Sequence, residues 1–280
     1  MRAVIATLLL AAANPAFAAW PSDISISAMA THQGQPIDAP ATDAFRDLVR
    51  SLGAGMSSYS ALPANTTGID GFDVAVGSTV WFTDTRSDAG PTGWELSHAD
   101  GKPNSYQFSP SLIARKGLPF STEIGAGTSW FGGSSQGAVH AFARAALLEG
   151  HLPWPSVTLQ AGYTAYVGND ELELGIMDLS ATLGTTLPIK RFSEATNAHI
   201  SPFLTVGMLR MRAQAVVDDE IAEAVGTIAI GGPDRDEAAL TALRLQTGLQ
   251  VNSGPALFRF NAAWTPGTPF LVAASTGIGF

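Results

Sequence analysis

The chain has 280 residues, no cysteine, 29 glycines, only 14% charged residues and a formal net charge of −9. The missing cysteines exclude a disulfide scaffold, and the acidic balance argues against a nucleic-acid partner, which wants a basic surface. Charge this sparse, below the ~25% of a typical soluble domain, suits strands that alternate between lipid and a wet interior.

The first eighteen residues read as a secretory signal peptide (1–18). Arg2 supplies a positive start, Ala3–Ala13 an apolar run too short to span a bilayer, and Ala16-Phe17-Ala18 a small-x-small cleavage site. No later stretch is long and apolar enough for a transmembrane helix. An exported chain of this kind reaches a membrane only as a closed barrel, because lipid tolerates no unpaired backbone edge.

An N-terminal segment, residues 19–67, precedes the barrel. Ile24–Ala28 alternates briefly and reads as a short strand. Phe45, Leu48, Val49 and Leu52 fall at i, i+3, i+4 and i+7, which predicts an amphipathic helix over 41–53, stopped by Gly53. A helix covering the rim is the simpler expectation, and a plug inside the lumen is the alternative.

Residues 68–280 carry the barrel. Phe72–Phe82 alternates cleanly, and residues 83–104 then read as a long polar loop. Tyr106–Lys116 is a weaker strand, demoted by Pro110, which cannot donate to a ladder. Phe120–Trp130, Gly137–Leu148 and Val157–Val167 follow. In Leu172–Leu183 the apolar parity flips at Ile176–Met177, the slip a β-bulge absorbs. Phe203–Val216 leads to a second polar insert over 218–236. Leu243–Val251, Phe258–Trp264 and Phe270–Phe280 complete the set.

The pattern predicts an all-β fold: a transmembrane antiparallel up-and-down barrel of about ten strands, with eight to twelve open, and one short N-terminal amphipathic helix. A soluble sandwich is the rival. The long strands and the aromatics at their ends, such as Phe72, Trp130, Trp264 and Phe280, weigh against it. Thr276, Ile278 and Phe280 form one face of the last strand. That strand resembles the closing strand of bacterial outer-membrane barrels, which implies recognition by the barrel-insertion machinery.

Three short motifs extend the likeness. They are Gly71-Phe-Asp-Val-Ala-Val76, Gly117-Leu-Pro-Phe120 leading into Glu123-Ile-Gly125, and Ser201-Pro-Phe203 followed by Gly207. Through them the chain resembles a family of proteobacterial outer-membrane barrel proteins. The resemblance implies a fold, a bacterial outer-membrane location and lipid as surroundings, and it implies no activity. The chain is also similar to FadL-like transporters of hydrophobic compounds, which combine an N-terminal helical plug with a barrel.

One face of each strand must line the lumen. The candidate lumen-lining set is Asp73, Glu123, His140, Arg144, Gln160, Arg210, Arg212, Arg244 and Arg259, five arginines against two carboxylates. Such charges are either paired across strands, filling a narrow core, or line a pore that favours anions. The first functional expectation is a narrow pore or small-solute transporter, and the alternative is a non-conducting structural or adhesion barrel acting through its loops. An enzyme is not expected. Ser97-His98 is the best nucleophile–base pair, no Gly-x-Ser-x-Gly stretch leads from a strand into a helix as a nucleophile elbow does, and neither a metal site nor a cofactor loop is legible.

Overall fold

The computed structural model describes residues 20, 22–30, 41–57, 62–83, 92–98, 103–149, 155–189, 198–216, 229–230, 239–268 and 270–280. The expected signal peptide, and most of the 83–104 and 218–236 loops, lie outside these residues.

Twelve strands belong to one antiparallel sheet. They are β1 (Phe72–Phe82), β2 (Tyr106–Leu118), β3 (Thr122–Trp130), β4 (Gly137–Leu148), β5 (Ser156–Val167), β6 (Leu172–Gly184), β7 (Leu187–Pro188), β8 (Ala198–Ala215), β9 (Ala229–Ile230), β10 (Leu240–Ser253), β11 (Ala256–Trp264) and β12 (Leu271–Gly279). The two-residue strands β7 and β9 only edge β8. The other ten pair in succession, β6 passing directly to β8 and β8 to β10. The circle closes where Asp73–Trp81 of β1 lies against Gly279–Leu271 of β12. A closed ladder leaves no edge, so every strand backbone finds a partner within the sheet.

The outward face is an apolar belt. Val76, Leu112, Ile124, Leu159, Leu179, Val206, Phe260 and Ile278 are all exposed. Aromatics edge it at one end with Phe72, Phe120 and Phe280, and at the other with Phe82, Tyr106, Trp130 and Trp264. This is the outer surface of a barrel that crosses a membrane. At the first end the strands join through short connections such as 119–121 and 254–255. The two longest connections, 83–105 and 216–239, lie at the other, which we term the loop end.

Three helices complete the described residues: α1 (Ile26–Ala30), α2 (Ala41–Met56) and α3 (Gly93–Leu96). Helix α1 replaces the short strand expected over 24–28. Ser25 Oγ and the Ser27 amide and hydroxyl all donate to the Glu171 carboxylate, which fixes the first turn as a helix start instead of a ladder. Helix α2 runs three residues past the expected stop at Gly53. That glycine serves close approach: a Cβ there would stand 2.4 Å from Met211 Sδ, and one at Gly55 would stand 2.7 Å from the Trp81 ring.

Two strand readings are corrected. The parity flip at Ile176–Met177 is not a bulge, because β6 keeps unbroken register with β8 from Leu172↔Ala215 to Gly184↔Phe203. The chemistry of the interior changes there, not the backbone. The irregularity in the sheet falls instead between Ala146 and Leu148. Pro110 lies inside β2 without loss, since the β2–β3 ladder starts only at Ser111.

Candidate functional site

The candidate site is the lumen, and the described parts of the N-terminal segment lie along it. Asp23 accepts from Ser134 and Ser135 in the β3–β4 turn at the loop end, and Ile24 bonds with Gln136. Helix α2 then descends between the strands. The chain continues past Leu62 to Thr66 and Thr67, which meet Glu149 and Glu123 near the short-turn end. It leaves through that end to begin β1. The helix is therefore a plug, not a rim cover.

The loop-end half of the lumen is apolar. Phe45, Leu48, Val49 and Leu52 are each 0% exposed. They form one buried cluster with Trp81, Leu172, Leu174, Ile176, Leu209, Met211 and Leu271 of the wall. Here the helix demands greasy inward side chains, so strands β6 and β8 carry them at this end.

The remaining half is mainly polar around a small apolar cluster of Leu62, Ala75, Ile113, Phe142 and Leu257, and an ion pair marks its boundary. Arg244 Nη2 donates to Asp178 Oδ2 at 2.5 Å, and Nη1 donates to the Ser57 carbonyl at 2.6 Å, just past the end of α2. A cation there complements the partial negative charge of a helix C-terminus. Gln160 Nε2 donates to the other Asp178 oxygen at 3.4 Å.

Below lies a second network. Arg115 donates Nε and Nη2 to Asp73 Oδ2 at 2.8 and 2.6 Å, and its Nη1 reaches both Glu123 oxygens at 3.4 Å. Arg144 pairs with Glu123 at 3.0 Å and also donates to the Pro63 carbonyl. Arg259 donates to Gln250 Oε1 at 2.6 Å and to Asp73. The Thr67 amide donates to Glu123, and Thr158 Oγ1 donates to the Ala64 carbonyl. The plug backbone thus belongs to the charge network. On β4, His140 bonds Ser129 at 3.0 Å and Thr164 at 3.2 Å, one hydroxyl from each neighbouring strand.

Seven of the nine candidate lumen residues point inward and are buried: Asp73, Glu123, His140, Arg144, Gln160, Arg244 and Arg259. Arg210 and Arg212 do not. They face outward and are exposed, while Leu209, Met211 and Ala213 point in. Opposite the greasy side of α2 the usual polarity of the two faces is reversed, and the alternation alone misassigns them. Two network members escaped the sequence reading, Arg115 and Asp178. Both share parity with inward neighbours, Ile113 and Ile176, and that parity is the signal that finds them. The two networks join four arginines to three carboxylates, with the half-buried Glu149 on Thr66 close by.

Two voids border these polar networks. One of about 40 Å³ is lined by Leu62, Thr79, Ile113, His140, Arg259 and Asn261. The other, about 260 Å³, opens near Phe280 and is lined by Thr66, Thr67, Asp73, Arg115, Gln250 and Asn252. The second abuts Asp73, whose Oδ1 has no hydrogen-bond partner.

The Ser97–His98 pair directly follows α3, Ser97 as its C-cap, and is buried. Ser97 Oγ donates to the Trp94 carbonyl at 2.9 Å, and His98 Nδ1 lies 2.8 Å from the same oxygen. A ring nitrogen that donates to a carbonyl has no lone pair to take a proton from serine.

No family model and no curated protein matches the chain. Among solved structures, it is similar to Ail, the attachment invasion locus protein of Yersinia pestis, at 10% identity and a TM-score of 0.29 over 76% of this chain and 100% of that one. It is similar to Omp33 of Acinetobacter baumannii at 8% and 0.30, over 77% and 100%. It is also similar to the translocator domain of the autotransporter NalP from Neisseria meningitidis at 11% and 0.34, over 86% and 98%. Likenesses this faint add nothing to the closed ladder, which carries the fold by itself.

Proposed function

We propose that this chain is an integral barrel of the bacterial outer membrane, exported by residues 1–18, and that its resting state does not conduct. The observation that carries the reading is the plug: the apolar face of α2 is sealed into the wall at the loop end. Lifting Phe45, Leu48, Val49, Leu52 and Met56 into water would cost roughly 10 kcal/mol, at about 2 kcal/mol for each buried side chain. At about 1.4 kcal/mol per tenfold, the open fraction falls near ~10⁻⁷. The arginines of the lumen are held by carboxylates and by plug carbonyls, so they serve the core and do not line a water-filled path.

The barrel then acts through the face it presents at the loop end, from which the 83–105 and 216–239 connections depart and where Asp23 is anchored. By the usual pattern of short periplasmic turns and longer outer loops, that face lies outside the cell. We assign no catalysis to the Ser97–His98 pair, whose geometry locks a turn.

Single-channel recording of the refolded full chain tests this. A silent bilayer, with protein that shows heat-modifiable gel migration, supports the reading. Discrete conductance steps from the same preparation would restore the narrow-pore function.

A further inference from the structure

The two arginines that face outward have a chemistry of their own. Arg210 and Arg212 follow Leu204, Val206 and Met208 on the outer face of β8, so they stand just past the apolar belt on the loop side. Arginine on the lipid face costs about 2–4 kcal/mol at the midplane and close to nothing at the interface. The neighbouring strands place Met177 and Thr241 beside Arg210, and Gly175 beside Arg212. Among the described residues neither arginine has a carboxylate partner. Glu173 lies one pair beyond Gly175 on the same face, opposite Gln214.

Gly175 adds the second observation. A Cβ there would stand 2.6 Å from Tyr163 Oη, so the missing side chain lets the phenol lie across β6 toward Arg212. Two arginines, spaced two residues apart along a strand or ~6.8 Å, and one hydroxyl lying over Gly175 therefore share one outward patch at the edge of the belt. Guanidinium forks match phosphate oxygens in pairs, and a partly dehydrated interface strengthens those bonds.

Resting on the membrane reading above, we propose that Arg210, Arg212 and Tyr163 form a binding site for the phosphate of an anionic membrane lipid in the leaflet at the loop end. The arginines give charge and bidentate geometry. Tyr163 Oη gives a further hydrogen bond, and the belt below, Met177, Leu179 and Met208, takes the acyl chains.

The test uses the full chain refolded in neutral maltoside micelles, titrated with phosphatidic acid. Lipid retained on the folded protein is read by native mass spectrometry. The wild type should retain phosphatidic acid in preference to phosphatidylcholine, and R210Q/R212Q should bind it at least about tenfold more weakly. K116Q, an outward cation near the opposite end, should match wild type, and R210K/R212K should fall between. If R210Q/R212Q does not fold, R210K/R212K and Y163F carry the comparison. Equal retention by the folded variants overturns the site. So does full competition by inorganic phosphate at the same concentration, which would show a free-anion site instead. Failure of the wild type to show heat-modifiable migration would instead overturn the membrane reading.

Discussion

Replacing Arg244 by methionine removes the cation that joins plug and wall. Arg244 is 0% exposed and pairs with the buried Asp178. The substitution keeps the side-chain volume, takes away the Asp178 partner and leaves the Ser57 carbonyl without that donor. Breaking a buried pair from one side costs about 3–5 kcal/mol, because the surviving charge stays desolvated. Loss of the Arg244 donor to that carbonyl adds about 1 kcal/mol. Replacing both partners, R244M/D178L, removes the orphaned charge and should recover most of the loss, leaving mainly the carbonyl term. The assay is urea unfolding in micelles, followed by tryptophan fluorescence, as a double-mutant cycle that includes D178L. A cost for R244M below about 0.5 kcal/mol, the level of an exposed pair, would refute the reasoning: it would mean that water reaches Arg244 and that the lumen is not dry at the end of α2.

Further outcomes follow from the same geometry. An epitope inserted immediately before Trp20 should be reached by antibody on intact cells, as should one in the 83–105 loop, whereas one at 119–121 should need permeabilisation. Phe120 and Ser121 hold φ of 63° and 51°, so Ser121→Gly should stabilise the barrel by about 0.5–1 kcal/mol, seen as a higher urea midpoint. Deleting Phe280, whose amide and carbonyl both bond Phe72 in the closing ladder, should lower the yield of heat-modifiable protein in the membrane fraction.

How much of this was legible depends on which physical rule each residue obeys. The alternation of Phe72–Phe82 or Val157–Val167 reflects one greasy face toward lipid, so the strands were readable. So was the helix, since its apolar spacing follows the same rule at a different period. The direction of Arg210 and Arg212 was not readable. Their parity has meaning only once Leu209 and Met211 are known to face a helix, and the position of that helix is a tertiary fact. The same cause disguised Ile176–Met177 as a bulge. Arg115 was hidden behind Pro110, which made its strand look weak. Asp178 lay just past the apparent slip, where parity had been abandoned.

The plug is most directly tested by solvent access to its buried face. The chain has no cysteine, so Leu52→Cys introduces a single thiol. In the folded protein, a water-soluble maleimide should label it at least about a thousandfold more slowly than in the unfolded chain, because access then requires opening of the packed helix. Asp47→Cys, on the exposed side of the same helix, should label readily. Equal, rapid labelling at both positions would contradict the account, because it would put water along the face of α2 that is described here as sealed.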